Sequence, residues 1–150
     1  MIEIKFTKEQ YRNLVDLVYL GNWMVNAIRE TGKQIQKYED VEQHIYSYTK
    51  EGGLENLIEF DDKLSEFFPS REFEEETDVE KFRVEYNDEI FWDELIDRLA
   101  RRDFIMEYGE DDIREMTWKE RTEKEYPFLE KYKEKFVKYG IKNLEITELD

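Results

Sequence analysis

The residues able to do chemistry in this chain are, in the main, carboxylates. There is no cysteine, which removes disulfides, thiolate metal sites and a cysteine nucleophile together. Three serines, none in a Gly-x-Ser-x-Gly setting, and a single histidine leave no basis for a hydrolytic triad. The six glycines match neither a dinucleotide fingerprint nor a P-loop, since Gly32-Lys33 lacks both the upstream glycine and the following hydroxyl residue. His44 lies beside Ile45 at the border of an apolar stripe, where a border or surface role is expected rather than metal ligation or general-base work. A di-iron helical bundle needs two Glu-x-x-His motifs, and one histidine cannot supply them.

Paired carboxylates remain, because Mg²⁺ prefers oxygen ligands and two acids one helical turn apart can share it. Glu39-x-x-Glu42 followed by Glu59-x-x-Asp62 resembles the ExxE…ExxD signature of all-α nucleotide pyrophosphohydrolases. That resemblance implies Mg²⁺-dependent hydrolysis of nucleoside triphosphates to monophosphates, with these four residues as metal ligands. Glu72-x-x-Glu75 with Glu94-x-x-Asp97 has the same form, as chance produces in a chain with 39 acidic residues. At about 100° per residue, Glu59 falls nearly opposite a Leu54, Ile58, Leu64 stripe, and Glu94 nearly opposite Trp92, Leu95, Ile96 and Leu99. Both acidic pairs therefore point to solvent, whereas catalytic carboxylates of such enzymes face into the bundle.

Polar residues on apolar faces are a second candidate. Asp61 falls at the centre of a helical stripe of Leu54, Leu57, Ile58, Leu64 and Phe68, and Asn22 lies inside the apolar arc of an earlier helix, with Asn26 and Arg29 at its edge. A buried carboxylate must be paired or neutral. Asp61 is expected to meet a cation from another helix while the asparagines satisfy backbone groups. The functional alternative is a polar ligand pocket built from Asn22, Asn26, Arg29 and Asp61.

The elements that position these residues read as mostly helical. Ile2, Ile4 and Phe6 alternate with Glu3 and Lys5, the pattern of a short strand. Thr7-Lys8-Glu9-Gln10 has the capping-box form and opens a helix from Lys8 to about Glu30, the most buried of the chain, with Gly21 expected to face a closely packed backbone. Further helices are predicted over 33–50, 54–68, 78–86 and 88–108, with a charged connector at 70–77 and Asn87-Asp88 as a candidate break. A short helical piece around 111–115 precedes a second capping box, Thr117 to Glu120, and a helix to about Tyr139 bent at Pro127. Residues 143–147 alternate again and predict a second strand.

The expected fold is thus one α-helical domain over residues 1–150, a bundle of about five or six helices with a small antiparallel ribbon formed by the amino- and carboxy-terminal strands. At 39% apolar the chain can bury a real core. Its formal net charge of −16 opposes direct contact with nucleic acid or anionic membranes. The segment Met1–Lys5 has no basic and apolar leader pattern, so a cytoplasmic address is expected. Charge is uneven: residues 72–94 hold eleven acids against Lys81 and Arg83, while residues 117–142 hold eight bases against five acids. The leading expectation is a non-enzymatic acidic binding or structural protein, without cofactor, that engages a basic protein or its own copies. The alternatives are the Mg²⁺-dependent pyrophosphohydrolase and a DNA-mimic inhibitor whose carboxylates lie along helices.

Overall fold

Thr7 begins the first helix as its sequence predicts. The Thr7 hydroxyl accepts from the Gln10 N–H at 3.2 Å and the Gln10 side chain accepts from the Thr7 N–H at 2.9 Å. The computed structural model describes residues 2–145. Helix α1 spans Lys8–Asn26, α2 Gln36–Tyr46 and α3 Thr49–Gly52; strands β1 (Ile58–Asp61) and β2 (Glu66–Pro69) follow, then α4 (Arg71–Glu76), α5 (Val79–Tyr108), α6 (Glu110–Glu115), α7 (Trp118–Tyr139) and a 3-10 turn at Gly140–Asn143. The chain is mostly α-helical, with one small antiparallel ribbon among the described residues. Its residues group into two compact units, Met1–Val84 and Glu85–Asp150.

In the first unit the core is Tyr11, Val15, Tyr46, Leu54, Leu57, Ile58, Phe73 and Val79. The Tyr11 ring occupies the space a side chain at Gly52 would need, and its hydroxyl donates to the Ile45 carbonyl at 2.7 Å, locking α1 to the end of α2. Helix α1 is less enclosed than its composition suggests. Leu17 and Met24 are exposed, and among the described residues nothing packs against Gly21; the helix also ends at Asn26, so Ile28, expected on it, lies exposed in the turn that follows. The broad apolar arc therefore covers both a core face and an outward one, which periodicity cannot tell apart.

The predicted helix over 54–68 is instead the β1–β2 hairpin, with Phe60 opposite Phe67 and Asp61 opposite Glu66. Local and tertiary terms both favour the hairpin. Asp61 Oδ1 accepts from the Lys63 and Leu64 N–H groups at 2.8 and 3.1 Å, an Asx turn, and Ser65 takes a left-handed φ of 56°. The Phe60 and Phe67 rings meet across the ribbon at 4.8 Å. Gln43 of α2 then closes the open edge of β2, donating to the Phe67 carbonyl at 2.9 Å and accepting its N–H at 2.7 Å. Asp61 is thus a turn residue and not the centre of a helical stripe.

The ribbon expected from the chain termini is accordingly supplied by residues 58–69. Residues 2–7 adopt no regular structure, Leu144 and Glu145 none either, and Ile146 and Thr147 lie outside the described residues. The charged connector at 70–77 contains α4, begun by Ser70, whose hydroxyl accepts from the Phe73 N–H at 3.2 Å and drives Phe73 into the core.

In the second unit α5 and α7 share a core of Ala100, Tyr132 and Phe136, covered by Trp92, Leu95, Ile96, Leu99, Phe128 and Leu129. Asn87-Asp88 does not break α5, and Pro127 sits inside α7. The second capping box forms at Thr117 and Glu120.

Candidate functional site

Spacing on α1 and α2 builds a chain of buried and half-buried polar groups in the first unit. Asn22 and Asn26 are one turn apart on α1, as are Glu42 and Tyr46 on α2. Helix α2 has no side-chain cap of its own at Ile35, so the Ile35 N–H donates to Asn26 Oδ1 at 2.8 Å. Asn26 Nδ2 donates to Asn22 Oδ1 at 2.8 Å, and Asn22 Nδ2 donates to Glu42 Oε2 at 2.9 Å. The Tyr46 hydroxyl completes the chain on Glu42 Oε1 at 3.3 Å.

Among the described residues no cation completes this set, and the carboxyl registers it. Burial pushes Glu42 up from 4.5 to about 7, against the downward pull of the Asn22 and Tyr46 hydrogen bonds, with Glu39 adding to the rise. Burial also raises Tyr46, reinforced by Glu42, and raises Tyr19 nearby. Asp16, half-buried on the same helix, is raised by burial although Arg12 Nε stands 3.6 Å away. Glu42 can exchange a proton near neutral pH, while its two donors hold it in one orientation.

The residues singled out from the sequence are divided by this geometry. Asn22, Asn26 and Glu42 come together. Arg29 is half-buried and gives only its backbone N–H to the Asn26 carbonyl at 2.9 Å, and Asp61 is occupied in the hairpin turn. Glu39 is half-buried one turn before Glu42, whereas Glu59 and Asp62 are exposed on the hairpin. Among the described residues no three His, Asp or Glu side chains are grouped as metal ligands would be. Glu75 pairs with Arg71 at 2.7 Å and Glu94 with Arg98 at 3.0 Å, both on exposed helix surface. His44 is exposed, its ring edge-on to Tyr48 at 5.4 Å. Sequence reasoning missed Tyr46; its one-turn spacing from Glu42 was the available signal.

The second unit carries a different kind of surface. On α5, Tyr86 and Ile90 lie one turn apart on a face shared with Glu89, Asp93 and Asp97, and all five are exposed. Phe91, also exposed, stacks edge-on to Trp92 at 5.0 Å. Aromatic and aliphatic side chains open to water among carboxylates can bind a surface that offers both apolar area and positive charge. No helix among the described residues is long and apolar enough to cross a membrane. No protein-family model, curated protein or solved structure shows a significant match to the chain.

Proposed function

We propose that this is a non-enzymatic acidic binding protein of the cytoplasm that engages a basic protein partner through the Tyr86, Glu89, Ile90, Asp93 face of α5. One observation carries the reading: Tyr86 and Ile90 are 46% and 40% exposed on the stretch of α5 whose same face also presents Glu89, Asp93 and Asp97. Isolated exposed apolar residues are ordinary, but two in register with three acids make a mixed patch, with anchors for an apolar contact and charge to steer a cationic surface. The cysteine-free, strongly acidic composition accords with that address.

A photo-crosslinking residue in place of Tyr86 identifies the partner directly in cells. The expected product is a covalent adduct with a basic protein, whose binding to the purified chain weakens roughly tenfold between low and high salt and is lost in Glu89→Lys/Asp93→Lys. Binding that ignores both salt and charge reversal refutes the proposal. Competition by duplex DNA for the same partner would redirect it to nucleic-acid mimicry.

A further inference from the structure

Residues 2–6 leave both apolar side chains and backbone polar groups open. Ile2, Ile4 and Phe6 are 87%, 67% and 47% exposed, although they alternate with charged residues as a half-buried strand should. None of the backbone N–H or C=O groups of residues 2–6 is hydrogen-bonded to another described residue. The segment borders a groove of about 480 Å³, whose other walls include Tyr11, Leu14, Ile45 and Tyr48. A β-prone segment with open backbone groups beside an apolar groove fits the addition of one more strand.

The pattern of charge selects the occupant. In an antiparallel pairing of this segment with a second copy of itself, centred on Ile4, Ile4 faces Ile4, Ile2 faces Phe6, and Glu3 faces Lys5 at both ends of the ribbon. The segment is therefore self-complementary in both apolar contact and charge. A one-residue slip loses the symmetry and sets apolar residues opposite charged ones. Elsewhere a net charge of −16 makes two copies repel, while residues 2–6 hold one acid and one base. Within one copy Glu3 and Lys5 approach only to 3.9 Å and are both exposed, so either can turn to a partner.

We infer that two copies of this chain associate through residues Ile2–Phe6, paired antiparallel about Ile4 with Glu3 of each copy against Lys5 of the other. The two-fold axis passes through the ribbon perpendicular to it, so all six apolar side chains fall on one face, the face that borders the groove. About four to six backbone hydrogen bonds form across the ribbon. The interface is small and the dimer correspondingly weak.

Sedimentation velocity on the untagged full chain, from micromolar to near-millimolar concentration, tests it. The expected result is a concentration-dependent dimer that Glu3→Lys weakens roughly tenfold, by placing lysine against lysine twice. The swap Glu3→Lys/Lys5→Glu restores it, because the pairing is symmetric in the two positions. Both variants lie outside every helix and strand, and unchanged circular dichroism checks their folding. A monomer at every concentration overturns the inference, and so does a dimer indifferent to Glu3→Lys or one that the swap fails to rescue. A monomer that instead captures an added Ile2–Phe6 peptide also overturns the self-pairing, in favour of strand addition by another chain.

Discussion

Two tyrosine–carboxylate pairs, one in each unit, are driven in opposite directions. In the first unit Tyr46 donates to Glu42, and the carboxyl rises to about 7. In the second unit Tyr132 donates to Asp103 at 2.6 Å, and that carboxyl is held well below its ordinary value, first by this bond and then by Lys131. Lys131 Nζ and Arg102 Nη2 stand 2.9 and 2.8 Å from its oxygens, and Arg102 also donates to the Tyr132 hydroxyl at 3.0 Å. The tyrosine is common to both sites. Burial with no cation beside it among the described residues raises one carboxyl; the Tyr132 hydrogen bond together with two cations lowers the other, although its side chain is only 16% exposed.

The largest test of this contrast is Asn22→Ala, which leaves the half-buried Glu42 without its closest donor. A loss of about 3 kcal/mol is expected at pH 8 by urea denaturation, shrinking by pH 5 as the carboxyl takes a proton. An equal loss at both values would mean that Glu42 is not the charge being served.

Next in size is the pH dependence of Glu42 itself. Its folded value lies above the ordinary 4.5, so its contribution to stability is fully present below 4.5 and is lost as pH rises through about 7. The loss is roughly 2–3 kcal/mol, and Glu42→Gln should remove that slope while keeping the contact with Asn22. Parallel stability curves for the two proteins across this window would contradict the assignment.

Asp103→Asn should have the smallest effect and the opposite sign. A lowered carboxyl contributes stability above its ordinary 3.8 that is lost as pH falls toward the folded value. Lys131 and Arg102 are more than half exposed, so about 1 kcal/mol at pH 7 is expected, reduced by salt. A penalty that grew on acidification would reverse the contrast between the sites.

Part of this architecture was legible residue by residue. Both capping boxes and the starts of α1 and α7 follow from Thr7 with Gln10 and Thr117 with Glu120, and the long helices from the 3.6-residue apolar period. Asn22, Asn26 and Glu42 each stood out, but nothing in the sequence joined them, because Asn22 and Glu42 are twenty residues apart and meet only where α1 packs on α2. The hairpin at 58–69 was hidden by a helical phase that Leu54, Leu57, Ile58, Leu64 and Phe68 satisfy equally well, although Asp61-Asp62 and Ser65 marked a turn.

The sequence by itself determined the mostly helical class, acidity, the chemistries that missing residue types forbid, and the helix starts whose caps close within four residues, because each of these is a local property. Only the tertiary structure decided that Gln43 would pair with a strand edge, that the Asp61 turn would join two paired strands rather than interrupt a helix, and that Glu42 would sit between two donors with no cation beside it among the described residues. Strand pairing and the proton affinity of a carboxyl are set by what lies across from a residue in space.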